Sequence, residues 1–367
     1  MKQRLVIVGA GHAHLYLLKR LHVLTRMVRE VTVINPGPWL YYSGMGPGML
    51  SGLYSQDAIR IHVENMVRKG GGRFIEGSVI KVDPVRRILY LQHEETIPYD
   101  LVSFNTGSQI APAGMTAVRE NVFPVKPIEN LVKARRLIES RSPGTACRIV
   151  IAGGGPAGVE ISANIHRLLK RNHMKSAIYL IGGRRPLLHQ FHENIRRHVL
   201  SSLADAHIHV LQNVRLTHVH ANEAELSDGS RVPADMVFMA VGIEPSSLFR
   251  ESGLPVGDDG GLRVNNQLQS VTYPDIFGGG DCIHLESKPL AKIGVYAVRQ
   301  GPILFHNLAA AIQGKPLKKF IPQKKFMLIL NMGNGTGIVF KNAWVWKGRT
   351  GFLLKHLIDT RFVRTYQ

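Results

Sequence analysis

The stretch "RIVIAGGGPAGVE", residues 148–160, decides the fold of this 367-residue chain. A β-branched apolar run is followed by Gly153, Gly155 and Gly158, and then by a segment with helical periodicity. In a turn of this spacing the first glycine permits the tight bend, the second lets the backbone approach a pyrophosphate, and the third lets the helix pack closely on the strand. The phosphate lies on the free N–H groups at the helix N-terminus. The stretch therefore predicts a β-α-β unit that binds a dinucleotide.

A second turn of this kind lies within "LVIVGAGHAHLYLL", residues 5–18. Gly9 and Gly11 are retained, whereas His14 stands at the third position. Because the glycines that bend the chain and admit the phosphates are kept, we expect this turn to bind a dinucleotide too. We expect His12 near the pyrophosphate, where a protonated ring could bind an anion but would oppose the helix dipole. His14 is expected to be a packing residue and not a metal ligand, because no matching ligands stand nearby.

The order of the remaining patterns predicts the domain organisation. A second strand follows each turn, and strand-then-glycine patterns recur at residues 99–109, 234–245 and 275–282. This order predicts an α/β fold with two Rossmann-like three-layer dinucleotide-binding domains, the second inserted in the first, and a small C-terminal α+β region. The expected ranges are residues 1–111 and 244–312 for the first domain, 112–243 for the second and 313–367 for the C-terminal region.

The ends of the second strands bear on which nucleotides bind. An acidic residue at this place usually binds the ribose hydroxyls, but neither unit has one. The first strand ends in Asn35, whose amide can still bond to a hydroxyl, and the second is followed by Arg184 and Arg185. These arginines suit a 2′-phosphate and hence NADPH, but an ordinary basic surface explains them equally well. The choice between NADH and NADPH therefore stays open.

With the segments "NTGS", "AVGIEP" and "IFGGGDC" in this order, the chain resembles the pyridine nucleotide–disulfide oxidoreductase superfamily of flavoproteins. The segments "LYYSGMGPGMLSGLY" and "KIGVYAVRQGPILFHNL", residues 40–54 and 292–308, are similar to its type II NADH dehydrogenase branch. Within that branch the chain looks closest to the domain fused to selenophosphate synthetase. The resemblance extends over residues 5–362.

The resemblance implies FAD on the first unit, NADH or NADPH on the second, and transfer of two electrons through the flavin to a quinone. With the residue-based candidates included, the predicted FAD contacts are Gly9, Gly11, His12, Asn35, Gly107, Asp281 and Val295. The predicted contacts of the nicotinamide nucleotide are Gly153, Gly155, Gly158, Glu160, Arg184 and Gly242.

Two departures from the family pattern concern the acceptor. No C-x-x-C pair follows the first unit. Cys147 enters a predicted strand and Cys282 follows Asp281, and this placement argues against a cysteine pair that relays electrons. The quinone segment of type II dehydrogenases is altered here, with Tyr296, Arg299 and Gln300 replacing part of it. Alternative functions are therefore a flavoprotein acting on a sulfur or selenium compound and a non-enzymatic redox-sensing flavoprotein.

Electron-rich reduced flavin is stabilised by positive charge or by a helix N-terminus. We expect the helix opening near Val295 to supply the dipole, and Lys292 or Arg299 to supply the charge. Quinone reduction also consumes protons, and the relay candidates are Glu160, Tyr296 and His284.

The predicted catalytic residues are accordingly Glu160, Lys292, Tyr296 and Arg299. For Lys126, at the crossover between the domains, we expect a structural role.

The formal net charge is +20, and residues 315–367 carry 11 Lys and Arg against Asp359 alone. In the same region Trp344, Trp346, Leu353 and Leu357 mix with basic residues. This favours an interfacial amphipathic helix on an anionic membrane, although a core helix packed on the flavin domain fits the pattern too. The basic clusters lack the interleaved aromatic residues of single-strand binders, which argues against nucleic acid.

No signal peptide or membrane-spanning run is present in the sequence. We therefore expect a cytoplasmic protein that is soluble or peripheral on the inner face of the cell membrane. A homodimer is left open, and no metal is expected.

Overall fold

The computed structural model describes residues 3–110, 120–323, 325–342 and 344–367. The predicted domain boundary at residues 111–112 and the basic residue Lys324 lie outside these ranges. In the described residues the α-helices are α1 (His12–Lys19), α2 (Leu21–Thr25), α3 (Gly46–Leu50), α4 (Val63–Lys69), α5 (Glu129–Glu139), α6 (Pro156–Arg171), α7 (Glu193–Asp205), α8 (Leu248–Glu251), α9 (Gly294–Ile312) and α10 (Arg349–Tyr366).

The strands in the described ranges are β1 (Arg4–Val8), β2 (Glu30–Asn35), β3 (Trp39–Tyr41), β4 (Arg60–His62), β5 (Arg73–Glu76), β6 (Val79–Asp83), β7 (Ile88–Leu91), β8 (Thr96–Pro98), β9 (Leu101–Phe104), β10 (Gln109–Ile110), β11 (Val122–Pro124), β12 (Ala146–Ala152), β13 (Lys175–Ile181), β14 (Ile208–Leu211), β15 (Leu216–Val219), β16 (Glu223–Leu226), β17 (Arg231–Pro233), β18 (Met236–Met239), β19 (Ile243–Glu244), β20 (Leu262–Val264), β21 (Ile276–Gly278), β22 (Ile283–Leu285), β23 (Leu328–Asn331), β24 (Gly337–Lys341) and β25 (Trp344–Gly348).

The first parallel sheet has the strand order β5-β2-β1-β9-β21. Its apolar strands are buried on both faces, as a parallel sheet covered by helices requires. From β1 the chain goes to β2 on one side and later to β9 on the other, with Val8 opposite both Ile34 and Phe104. The sheet therefore has its topological switch point at the carboxyl end of β1, where α/β folds bind ligands.

The second parallel sheet repeats this arrangement in the order β14-β13-β12-β18-β11. Its switch point lies at the carboxyl end of β12, with Ala152 opposite Ile181 and Met239. All of its strands lie in sequence between β9 and β21, so the second unit is inserted in the first. The chain crosses between the two sheets at β10 and β19, which pair antiparallel. The predicted α/β fold is confirmed, while the exact domain ranges stay predictions.

The C-terminal region consists of the antiparallel sheet β23-β24-β25 followed by α10. Its buried side chains Ile338, Phe340 and Val363 belong to the same hydrophobic core as Ile149 of β12 and Val159 of α6. The region is thus packed on the second unit. Helix α10 also contacts the first unit, since the Tyr42 hydroxyl donates to Asp359 and Lys355 donates to the carbonyl of Gly44, which fits the alternative of a core helix packed there.

The interfacial helix predicted from the tail sequence is shorter than expected, because Trp344 and Trp346 lie on β25 and only the residues from Arg349 onward are helical. No helix in the described ranges is long and apolar enough to cross a membrane.

Candidate active site

Each of the two glycine turns lies between a strand of a parallel sheet and the helix that follows it, at the switch point of that sheet. In the second turn Gly153 has a φ of +136°, and a Cβ at Gly158 would overlap the carbonyl oxygen of Gly153. Only glycine fits at both positions. Gly155 is the N-cap of α6, which has no acidic residue in its first turn. This helix end therefore presents N–H groups and the positive end of its dipole to an anion.

In the first turn His14 occupies the position of the third glycine, and its ring forms two polar contacts. Its ring is fully buried, and Nδ1 lies 2.5 Å from the carbonyl oxygen of Gly9 while Nε2 lies 2.8 Å from the hydroxyl oxygen of Ser103 on β9. Burial lowers the pKa of His14 to about 4, with the bond to Gly9 opposing this. A neutral ring donating from Nδ1 and accepting at Nε2 satisfies both contacts. His14 is therefore buried, as a packing residue would be, and ties the turn to β9.

Asn105, in the "NTGS" segment after β9, organises the same turn and was missed by the sequence analysis. Its Oδ1 accepts from the backbone N–H of Ala13 (3.0 Å) and His14 (3.3 Å). Its Nδ2 donates to the carbonyl of Gly279, 2.6 Å away. One buried side chain thus joins the start of α1 to the turn after β21. The pattern gave no signal beyond a polar residue at a strand end.

A large cleft of about 1890 Å³ runs along the carboxyl ends of both sheets. Its volume exceeds the ~300–1,000 Å³ of a typical small-ligand pocket, so it has room for more than one ligand. A Cβ placed at Gly107, Gly155 or Gly242 would meet no atom within 4 Å, so open space lies beside the backbone there. The predicted site residues that line the cleft are Gly9, Gly11, His12, Asn35, Gly107, Gly153, Gly155, Glu160, Gly242, Asp281 and Lys292.

Besides Gly158, four predicted site residues do not line this cleft: Arg184, Val295, Tyr296 and Arg299. Arg299 is exposed on α9. The Tyr296 hydroxyl donates to the carbonyl of Gln323, 3.3 Å away. Gly158 also lies outside the lining, because it packs beneath the Gly153 turn.

Asn35 lies at the expected place, but its amide has a structural task. Oδ1 accepts from the N–H of Ala10 (2.9 Å) and Nδ2 donates to the carbonyl of Gly37 (2.6 Å). The side chain thus fixes the end of β2 against the first glycine turn. A ribose contact at this residue can use the second N–H of Nδ2 or the remaining lone pair of Oδ1.

Asp281 forms a polar cluster at the floor of the cleft. Its Oδ2 accepts from the hydroxyl of Ser108 (2.9 Å) and from Nζ of Lys126 (3.1 Å), and Lys126 also donates to Ser108 (2.9 Å). The preceding turn is held by buried Gln300, whose Oε1 accepts from the N–H of Gly280 (2.6 Å). Lys126, expected to be structural, therefore lies in the cleft beside the predicted ribityl ligand.

His12 begins α1 but is enclosed by aromatic side chains. Its ring centroid lies 5.4 Å from that of Tyr42 and 5.9 Å from that of Phe362 on α10. Burial, together with the charge of Lys126 and against that of Asp281, lowers the pKa of His12 to about 4. The neutral ring therefore dominates at pH 7, in contrast to the protonated anion-binding form considered from the sequence.

Glu160 on α6 joins the cleft to the C-terminal helix. Its Oε1 accepts from the N–H of Asn331 (2.8 Å) and lies 4.0 Å from Nζ of Lys355. Lys355 in turn lies 2.9 Å from Oδ2 of Asp359, whose Oδ1 accepts from the hydroxyl of Tyr42 at 3.1 Å. Two carboxylates and one ammonium group are thus buried together.

Burial dominates the electrostatics of this cluster. It raises the pKa of Glu160 and of Asp359, although the charge of Lys355 opposes the rise in both. Burial alone would lower the pKa of Lys355, but the two carboxylates raise it above its usual value. Because one cation faces two buried acids, the cluster favours the protonated form of one of the carboxyl groups.

Lys292 lines the cleft, but its charge is paired. Nζ lies 2.7 Å from Oδ2 of Asp259 and donates to the carbonyl of Ile283, also at 2.7 Å. His284 contacts the other oxygen of Asp259 at 3.1 Å. Among the predicted relay groups, His284 thus belongs to this cluster and only Glu160 reaches the cleft.

Comparison with known proteins adds to this geometry. The family model described as pyridine nucleotide-disulphide oxidoreductase matches residues 3–302. A mitochondrial internal alternative NAD(P)H-ubiquinone oxidoreductase A1 from Arabidopsis thaliana is 25% identical over 231 residues, or 57% of this chain and 45% of that relative.

Two solved structures share the fold along almost the whole chain. NDH2 from Plasmodium falciparum in complex with NADH aligns with a TM-score of 0.84 and 16% identity, over 99% of this chain and 96% of that one. The sulfide:quinone oxidoreductase of Aquifex aeolicus aligns with a TM-score of 0.82 and 19% identity, over 100% and 92%.

Proposed function

Because the chain belongs to the pyridine nucleotide-disulphide oxidoreductase family, we propose that it is an FAD-dependent NAD(P)H dehydrogenase that passes two electrons to a quinone. FAD and a nicotinamide nucleotide are its cofactor and co-substrate. The observation that carries the proposal is the continuous cleft that joins both glycine turns and reaches the buried Glu160–Lys355 pair. The Arabidopsis relative, whose name specifies NAD(P)H and ubiquinone, supports the same reaction.

The residues present fit an FAD molecule. The first glycine turn and the start of α1 would hold the pyrophosphate, and Asp281 would accept a bond from the ribityl chain. Bound FAD would supply the two-electron carrier between nicotinamide and acceptor. Gly153 and Gly155 would hold the pyrophosphate of NAD(P)H on the opposite wall, so the two nucleotides would meet in the middle of the cleft.

The chain's own contribution at the acceptor would be protons. Reduction of a quinone to a quinol consumes two of them, and burial raises the pKa of Glu160, which favours the protonated carboxyl group that can donate one. Contacts of 2.9–4.0 Å connect Glu160 to Lys355 and Asp359 of α10 and from there to the Tyr42 hydroxyl. We therefore assign Glu160 the role of proton donor and Lys355 that of the charge that stabilises the carboxylate left after the proton has gone.

The outward face of α10 suits a membrane surface as the source of a lipid-soluble quinone. Leu353 and Leu357, one turn apart, are 59% and 64% exposed, and Trp344 on the adjacent β25 is 84% exposed. Exposed Arg349 and Arg361 flank these apolar side chains on the same helix. Apolar burial and attraction to anionic lipid would both favour docking by this face.

Stopped-flow absorbance of the FAD-loaded protein tests the function. NADH or NADPH should bleach the flavin absorbance, and a short-chain quinone should restore it rapidly. Absence of bleaching with both nucleotides would overturn the dehydrogenase, and bleaching without reoxidation by quinone would overturn the acceptor.

Stopped-flow absorbance also tests sulfide as an alternative electron donor, because one of the proteins with this fold is a sulfide:quinone oxidoreductase. Cys147 lies buried in β12 and Cys282 is buried against the carbonyl oxygens of Phe104 and Gly279. Neither cysteine lines the cleft. We therefore expect no bleaching by sulfide, because a thiol relay beside the flavin needs accessible sulfur.

A further inference from the structure

The second nucleotide site lacks an acidic side chain at the end where the adenosine ribose would bind. With the pyrophosphate on the Gly153 turn, the adenosine ribose of a nicotinamide nucleotide would lie at the carboxyl end of β13. That end continues into Gly182 and Gly183, so the acidic side chain that would bind the 2′-hydroxyl of NADH is absent there. Both glycines line the cleft.

An arginine from the neighbouring strand connection lies at this place. The N–H of Gly182 donates to Leu211 (2.7 Å) and that of Gly183 to Val214 (3.1 Å), so the segment after β14 runs alongside the end of β13. Arg215 follows directly and lines the cleft. Because adjacent strands lie roughly 5 Å apart, the long Arg215 side chain can span to a group on the ribose.

The backbone of Arg215 is fixed while its side chain stays available. Its N–H donates to the Ser227 hydroxyl (3.0 Å), and its carbonyl accepts from the Ser227 N–H (2.9 Å). The side chain is exposed and makes no ion pair with a carboxylate among the residues that the structure describes. Glu223 and Glu225 on the adjacent hairpin pair with Arg231 instead.

No acid of the cleft competes for this guanidinium. The carboxylates in the described lining are Glu129, Glu160 and Asp281. Asp281 pairs with Lys126, Glu160 lies beside Lys355, and Glu129 follows β11 at the opposite edge of the second sheet. Arg215 therefore meets an incoming anion with its charge uncompensated.

The arginines that follow β13 directly are placed less well. Arg184 does not line the cleft, and Arg185 is engaged with Nε2 of His189 at 3.1 Å. We propose that Arg215, rather than Arg184, binds the 2′-phosphate of NADPH and makes NADPH the preferred nucleotide. The inference rests on the proposed nicotinamide site and specifies which nucleotide occupies it. Arg is suited to the task because its planar guanidinium binds a phosphate through two parallel hydrogen bonds.

Calorimetric titration of the FAD-loaded protein with 2′-phospho-ADP-ribose and with ADP-ribose tests the proposal without turnover. The wild-type protein should bind the 2′-phosphorylated compound ~10–100-fold more tightly, as expected for charge-assisted hydrogen bonds. Arg215→Ala should abolish this preference and leave the affinity for ADP-ribose within about twofold. Arg184→Ala, which removes a neighbouring arginine outside the cleft, is the matched control and should keep the preference.

Each outcome separates this inference from the function on which it rests. Equal binding of both compounds by the wild-type protein, or loss of the preference in Arg184→Ala instead of Arg215→Ala, overturns the role of Arg215 and leaves the nucleotide site standing. Binding of neither compound overturns the nicotinamide site and the inference together.

Discussion

His14 should make the stability of this protein depend on pH in a way that one substitution can isolate. Its ring is fully buried and held in the neutral form between Gly9 and Ser103. The substitution His14→Gln keeps an amide that can donate to the Gly9 carbonyl but removes the titrating group. The variant should therefore be less sensitive to acid than the wild-type protein, whatever it loses in stability at neutral pH.

The magnitude follows from the two pKa values. The ordinary value of histidine is 6.5, and burial lowers that of His14 to about 4. Between these values the unfolded chain binds a proton that the folded chain does not, so the free energy of unfolding falls as the pH falls. The full difference corresponds to ~3 kcal/mol, of which ~2 kcal/mol is lost between pH 7 and pH 5.

Chemical denaturation of the FAD-loaded protein at pH 7 and pH 5 measures this effect. The decrease in the free energy of unfolding should be ~2 kcal/mol smaller in His14→Gln than in the wild-type protein. His22→Gln, at an exposed position on α2, is the matched control and should behave as the wild type. His12 titrates in both proteins, so the comparison isolates His14. An equal decrease in His14→Gln and wild type would refute a buried, neutral His14.

Three further predictions concern the turn, the proton path and the membrane face. Asn105→Ala should cost ~2–4 kcal/mol in denaturation and release FAD on purification, because Ala13, His14 and Gly279 lose their buried partner; full flavin retention would contradict this. Glu160→Gln should slow reoxidation of the flavin by quinone ~100-fold in stopped flow while reduction by NAD(P)H stays within about twofold; equal slowing of both steps would exclude a proton-donor role. The double substitution Leu353→Glu and Leu357→Glu should abolish co-sedimentation with anionic liposomes, whereas Val85→Glu, at another exposed apolar position, should not; continued pelleting of the double variant would place docking elsewhere.

The fold class could be predicted from short stretches of sequence, because the glycine turns and apolar strands that define it depend on neighbouring residues. The separation of Gly153 from Gly158 is set by one turn of chain, and a side chain at Gly158 would collide within that same turn. Apolar runs before each turn likewise predict strands that parallel sheets bury on both faces. The α/β class with one dinucleotide unit inserted in another therefore follows from spacing and order alone.

The catalytic candidates were predicted less well, because side-chain direction along a helix or loop depends on what packs against it. Lys292 lies two residues before α9 and Tyr296 lies in its first turn, yet Lys292 lines the cleft paired with Asp259 and the Tyr296 hydroxyl contacts Gln323. Periodicity indicates a helix there but does not say which of its polar faces meets the cleft.

By itself the sequence determined the two glycine turns, the strands that lead into them and the family to which the chain belongs. Only the tertiary structure decided that Asn105 ties the start of α1 to the turn after β21, that Lys355 of the C-terminal helix reaches Glu160, and that Arg215 lies beside the end of β13. Each of these contacts joins residues distant in sequence through the packing of separate elements. No local spacing encodes them, because the free energy that brings them together comes from the burial of the surrounding apolar core.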